Sequence, residues 1–153
     1  MPPILQPFAN NVEAIQLDED VSMEPIGILA QEIQLLDIHK EHKILEFGAG
    51  TGYALAVMGQ LCRRVFGVER VRSYAHEAGR KLQDLRIFRS NIIHGHTAHV
   101  ITNIAPFDRI LLSCAVDEHN PIIQELIASL AEEGFMIAPL INSQNEQIGR
   151  AHV

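Results

Sequence analysis

The chain is short of cysteine, with two in 153 residues, and it has no tryptophan. Two cysteines cannot build the disulfide framework of a small secreted domain, so Cys62 and Cys114 read as reduced thiols of a cytoplasmic protein. Long apolar runs are missing too: nothing approaches the about 20 residues that cross a bilayer. The N-terminal MPPILQPFANN lacks the basic region and apolar core of a signal peptide. Basic residues are scarce, 12 Lys and Arg against 19 Asp and Glu, for a formal charge of -7. That balance argues against wrapping nucleic acid, whose phosphates call for a cationic surplus. Repeats and low-complexity tracts are also absent. What remains, 47% hydrophobic and 20% charged residues, is the composition of one globular domain able to bury a core unaided.

Residues 1–24 carry three prolines before Phe8 and an acidic cluster at Asp18, Glu19 and Asp20. They are expected to form a poorly ordered arm or cap. Pro25 stands where a helix can begin. Ile26, Leu29, Ile33 and Leu36 follow at helical spacing, with Gln31, Glu32 and Gln34 between them, and the helix should stop near Asp37. Beyond it the pattern alternates. Strands are predicted at 43–47, 65–69, 90–95, 107–113 and 135–141, with helices at 54–61, 72–85 and 121–134. Strands alternating with helices of this length imply right-handed crossovers and a doubly wound α/β fold with a mainly parallel sheet. Residues 25–147 are read as that single domain.

The densest signal is EFGAGTGY at 46–53, which follows a predicted strand and opens a helix. Gly48 permits a tight turn, Gly50 lets a ligand approach the backbone, and Gly52 starts the helix without a Cβ in the way. Glu69 ends the next strand, and an ionised carboxylate there can accept hydrogen bonds from both hydroxyls of a ribose. The spacing also discriminates between ligands. A dinucleotide fingerprint, G-x-G-x-x-G, would place its third glycine where Tyr53 stands, so an NAD-dependent oxidoreductase is disfavoured. G-x-G-x-G after an acid looks instead like motif I of the class I S-adenosylmethionine-dependent methyltransferases. The remaining alternative is a strand–helix turn that uses glycine for steric reasons alone.

Several segments resemble the protein-L-isoaspartate O-methyltransferase family: MEP (23–25) before a helix, KILEFGAGTGY (43–53), VFGVER (65–70), HGH (94–96), APFDRILLSCAV (105–116) and the Pro121 helix running to EEGFMIAPL (132–140). The likeness spans residues 20–141. It implies a Rossmann-like sheet and S-adenosyl-L-methionine as cofactor, with methyl transfer to the carboxylate of isoaspartyl residues in a protein or peptide substrate. By the same resemblance residues 46–52, with Glu46, Gly48, Ala49, Gly50 and Gly52 foremost, hold the methionine moiety and Glu69 the ribose, and Arg70 is a further cofactor-binding candidate. Gly95 and His96 face the adenine, and Ser113 lies beside the cofactor. Tyr53 either stacks on the ligand or merely covers the helix start. A carboxylate is already nucleophilic, so alignment and desolvation suffice and no dedicated base is required.

Three departures from the family pattern stand out. The segment before the helix usually reads Thr-Ile-Ser-x-Pro, with a Ser that positions the substrate carboxylate. Here VSMEP puts Met23 at that place and Ser22 one residue early. A thioether cannot donate a hydrogen bond, so Ser22 is the catalytic candidate, and a catalytically silent cofactor-binding or interaction paralogue is the rival reading. The adenine-side Asp is replaced by His96. Finally, families of this fold continue past the fifth strand with two more, so this sheet is expected to lack its last strands and leave an exposed edge. Ile148–Val153 (IGRAHV) match the translation of a common sequencing adapter and are expected to be a non-native tail; the alternative is a native segment.

Other features have plainer readings. HGHTAH (94–99) could bind zinc, but no Cys or acid completes a familiar spacing and no metal is expected. Cys114 lacks a recognisable His partner and reads as a small buried residue. Eight of the twelve basic residues lie between Arg63 and Arg89. Interleaved with Glu69, Glu77 and Asp84, they suit a solvated helix face better than a patch for an acidic partner.

Overall fold

Residues 14–18, 21–117, 119–141 and 147–152 are described by the computed structural model, and among them nine strands alternate with four helices. In chain order these are β1 (Ile15–Asp18), β2 (Val21–Met23), α1 (Ile26–Leu35), β3 (Lys43–Phe47), α2 (Tyr53–Leu61), β4 (Arg64–Glu69) and α3 (Arg72–Asp84). They continue with β5 (Ser90–His94), a 3-10 turn at Ala98–Ile101, β6 (Phe107–Leu112), β7 (Val116–Asp117), α4 (Pro121–Ile127), β8 (Leu130–Ile141) and β9 (Gln147–His152).

KILEF and FDRILL are apolar almost throughout, as strands covered on both faces must be, and they pair at the sheet centre. The order is β5-β4-β3-β6-β8-β7, with every neighbouring pair parallel. This is the mainly parallel, doubly wound sheet expected. Side chains alternate across it: Ile44 joins Leu55, Met58, Val65 and Leu82 on one face, while Leu45 and Phe47 join Ile123, Leu126 and Met136 on the other. Gly67 lets α2 press onto β4, because a Cβ there would lie 2.5 Å from Leu55 Cδ1.

Three expectations are corrected. Part of the supposed arm is a hairpin, β1 pairing antiparallel with β2; residues 1–13, 19 and 20 of that arm lie outside the described residues. The helix expected over 121–134 ends at Ile127, and β8 begins at Leu130 rather than 135. Pairing with β6 overrides the local helical pattern: Phe107 N–H donates to the Ser129 carbonyl at 2.9 Å, and Leu130 stands opposite Phe107. A bulge follows, with Glu133 at φ +60° and Gly134 wedged where a Cβ would meet three backbone oxygens at 2.9–3.1 Å. The edge expected to stand bare is covered in part, since residues 147–152, most of them in the segment read as a non-native tail, pair antiparallel with Ile137–Ile141 of β8 as β9. An open edge of β8 would expose unpaired N–H and C=O groups, which this pairing satisfies.

At the end of the sheet away from the strand tips, polar side chains tie the elements together. Lys43 N–H donates to Asp108 Oδ2 at 2.7 Å, and Lys43 Nζ to the Ile104 carbonyl at 2.6 Å. Arg109 Nε donates to the Leu36 carbonyl at 2.7 Å, occupying an orphan acceptor at the end of α1. Its guanidinium also lies 4.2 Å from the centre of the Phe135 ring. Arg109→Ala is expected to lower unfolding stability by about 1–3 kcal/mol in chemical denaturation. An unchanged midpoint would mean that this clamp contributes nothing.

Candidate functional site

Ligands of open parallel sheets sit beyond the carboxyl ends of the strands, where the winding reverses. Here the reversal falls between β3 and β6. A cleft of about 500 Å³ opens at that place, lined by Ser22, Phe47, Gly48, Gly50, Val68, Glu69, Arg70, Gly95, His96, Ser113, Cys114 and Ala115. A side pocket of about 60 Å³ shares Ser22, Gly48, Gly50 and Ser113 with it and reaches Glu46, Ala49, Thr51 and Tyr53.

The floor is the loop between β3 and α2. Gly48 and Ala49 N–H both donate to the Val68 carbonyl, at 2.8 and 3.0 Å, turning the chain sharply off its strand. Gly50, at φ +51°, has nothing within 4 Å of where a Cβ would project, so the backbone lies bare to the cleft. Gly52 does a different job: it sits at φ +77° before α2, with a Cβ position only 2.9 Å from Ala78 Cβ. It seats α2 against α3 and does not line the cleft. Glu69, only 6% exposed, accepts from Gly50 N–H and Val71 N–H, both at 2.7 Å. Each carboxylate oxygen has a second lone pair left for a further donor.

The structure thus brings Ser22, Glu46, Gly48, Ala49, Gly50, Tyr53, Glu69, Arg70, Gly95, His96 and Ser113 around one connected space, and leaves out Gly52. Sequence reasoning missed several lining residues. Val68 and Ala115 flank the chosen residues on the strand ends, and only the register exposes them; Phe47, within the segment expected to hold the methionine moiety, lines the cleft with them. Thr51, within the loop assigned to the methionine moiety, lines the side pocket. Its hydroxyl is 4.0 Å from Met23 Sδ. Cys114 is not simply buried: it borders the cleft, and burial, with Glu69 adding, pushes its thiol up to about 11.

Glu46 is the electrostatic anomaly. It is 3% exposed, and Ser113 Oγ donates to its Oε1 at 2.8 Å, bridging β3 to the end of β6. Its Oε2 is buried without a hydrogen-bond partner. Desolvation pushes its pKa up to about 8, against the Ser113 hydroxyl, which lowers it, and with help from the charges of Glu69 and Glu32. Glu32, read from sequence simply as a polar residue between the apolar positions of α1, is 2% exposed. Among the described residues no group of three or more His, Cys, Asp and Glu could hold a metal ion, which bears on HGHTAH. No described helix is long and apolar enough to cross a membrane.

Comparison with known proteins adds an independent line. Residues 3–152 match the protein-L-isoaspartate(D-aspartate) O-methyltransferase family. A protein-L-isoaspartate O-methyltransferase of Parvibaculum lavamentivorans is 37% identical over 113 residues, covering 74% of this chain and 50% of the relative. One from Helicobacter pylori is 34% identical over 141 residues, covering 92% and 66%. The chain therefore spans about half to two thirds of the length of such relatives. A solved protein-L-isoaspartate O-methyltransferase superposes with a TM-score of 0.76 at 24% identity, over 88% of this chain and 43% of that one. A methyltransferase from Geobacter sulfurreducens, solved with S-adenosylhomocysteine, gives 0.57 at 18% identity, over 72% and 46%.

Glu46 makes stability depend on pH in a stated direction. Above pH 4.5 the unfolded chain gives up this proton, whereas the folded chain keeps it until about pH 8. The native state then binds more protons, so stability falls as pH rises through that window. The melting temperature of the unliganded wild type should drop between those limits relative to Glu46→Gln. Parallel profiles for the two proteins would refute the assignment.

Proposed function

Because this chain belongs to the protein-L-isoaspartate(D-aspartate) O-methyltransferase family, we propose that it binds S-adenosylmethionine in the cleft and methylates isoaspartyl carboxylates of damaged proteins. The observation that carries the reading is Glu69, hooked to Gly50 N–H at 2.7 Å on the cleft wall. It leaves acceptor lone pairs where a ribose would present its hydroxyls.

The residues fit the cofactor. A Cβ on Gly50 would project into the open cradle, and Glu46, whose buried Oε2 has no hydrogen-bond partner, is among the residues lining the side pocket beside it. Gly48, Ala49, Gly50 and Glu46 would hold the amino-acid end, Glu69 and Arg70 the ribose side, and Gly95 and His96 the adenine. When bound, the cofactor supplies an electrophilic methyl group on a sulfonium. The chain itself has little covalent chemistry to perform, since its task is to align a carboxylate and keep water away. Phe47, Val68 and Ala115 give the cleft an apolar lining suited to that exclusion.

Ser22 is the group we assign to the acceptor. It is exposed, and it borders both the cleft and the side pocket, whereas its neighbour Met23, 9% exposed and facing Thr51, lines the side pocket alone. Alternation along β2 therefore gives the hydroxyl to the cleft and the thioether to the interior. The substrate is a protein or peptide; the acidic balance speaks against nucleic acid. The low cysteine content supports a cytoplasmic setting.

Glu69→Ala should weaken S-adenosylhomocysteine binding by about 1–3 kcal/mol, the range for hydrogen bonds to a charged group, as read by calorimetry. Unchanged affinity would remove the ribose assignment. Radiolabelled methyl from S-adenosylmethionine should reach an isoaspartyl peptide but not its aspartyl isomer. Ser22→Ala should lower kcat/KM for that peptide while leaving cofactor affinity intact; binding without any transfer by the wild type would sink the catalytic reading.

A further inference from the structure

Four polar side chains are buried among the described residues, and three of them are glutamates: Glu32 from α1, Glu46 from β3 and Glu69 from β4. No Lys, Arg or His is buried with them among the described residues. Buried carboxylates without a buried cation must be relieved by hydrogen bonds, by protons or by a cation from outside. Glu69 is relieved by two backbone N–H donors. Glu46 is not: one oxygen takes the Ser113 hydroxyl, and the other has no partner although it is sealed from solvent.

That orphan oxygen belongs to a residue lining the side pocket next to the bare backbone of Gly50. We propose that Glu46 holds a proton while the cleft is empty and releases it to solvent when the ammonium of the ligand's amino-acid end takes that place. The inference rests on the cofactor reading above and adds to it a stoichiometric exchange, one proton out for one cation in. The groups around Glu46 favour such a trade from every side. Glu32 on α1 and Glu69 on β4 add negative potential, and the Cys114 thiol, raised to about 11, is neutral near pH 7. Glu24, ahead of α1, and Tyr53, on α2, share the same side pocket. The Ser113 hydroxyl steadies the anion once it forms, as does the Leu55 backbone. No cation stands with the groups that act on Glu46 among the described residues, and the ligand's ammonium would supply one.

Exchange of this kind has a calorimetric signature that a structural role for Glu46 lacks. S-adenosylhomocysteine, which carries the ammonium but no sulfonium, is titrated into the full chain in buffers of different ionisation enthalpy. Binding should release about 0.9 proton at pH 7, whereas at pH 10, where Glu46 is already ionised and the free ligand's amine is largely neutral, it should take protons up. Affinity should rise with pH by up to about tenfold per unit below pH 8 and fall again at higher pH, once the ligand's own ammonium loses its proton. 5′-Methylthioadenosine, the same nucleoside without the amino acid, should bind with no proton release. In the unliganded wild type, carbon-13 NMR of the glutamate carboxyls should find one titrating far above the others, and that signal should vanish in Glu46→Gln. S-adenosylhomocysteine binding with an enthalpy independent of buffer would overturn the exchange while leaving the cofactor reading intact. No binding of either nucleoside, with the high-titrating carboxyl present, would overturn the cofactor reading and the ammonium's role with it.

Discussion

Glu69 holds the amides of Gly50 and Val71 on its two oxygens, and these two short bonds fix the glycine loop and the start of α3 to the tip of β4. The rest of the site is arranged around that attachment. With the loop drawn toward β4, Gly48 and Ala49 can share the Val68 carbonyl, and α2 leaves at an angle that presses Leu55 onto Gly67. The same carboxylate faces the cleft with acceptor capacity to spare, so one side chain both shapes the loop and offers itself to a sugar. A neutral or longer side chain at the tip of β4 would lose both roles together, because the backbone donors and the cleft meet at one pair of oxygens.

Much of this was readable from residue order. Three glycines at fixed spacing after an apolar strand, with an acid ending the next strand, have few physical explanations other than a nucleoside-binding turn, and the turn forms where it was expected. The strands and helices from 43 to 112 fall within a residue or two of their sequence limits, since apolar runs and amphipathic spacing are local properties. What escaped notice depends on distant partners. SLAEEGF has helical character, and only β6 alongside makes it extended. Glu32 looks like any polar residue on an amphipathic helix; its burial follows from how α1 docks, which the helix alone does not encode. Gly52 shares a motif with Gly48 and Gly50 yet serves packing, a distinction set by Ala78 twenty-six residues later.

The departure at Met23 is informative for the same reason. Along β2 successive side chains face opposite ways, so moving a hydroxyl by one position exchanges inside for outside. Met23 faces inward toward Thr51, and Ser22 is left at the boundary of both pockets. The β2 wall of the cleft therefore carries its hydroxyl at Ser22, whereas Gly48, Gly50 and Glu69 form the turn that the motif requires.

The sheet order has a mechanical corollary. Among the described residues β4 and β5 are joined in the sheet to β6 and β8 only through β3, so the two wings meet along a single strand. The cleft straddles that seam, with Glu69, Gly95 and His96 on one wing and Ser113, Cys114 and Ala115 on the other. A ligand lodged there would touch both wings at once and so bridge a seam that the strands themselves cross only at β3 among the described residues.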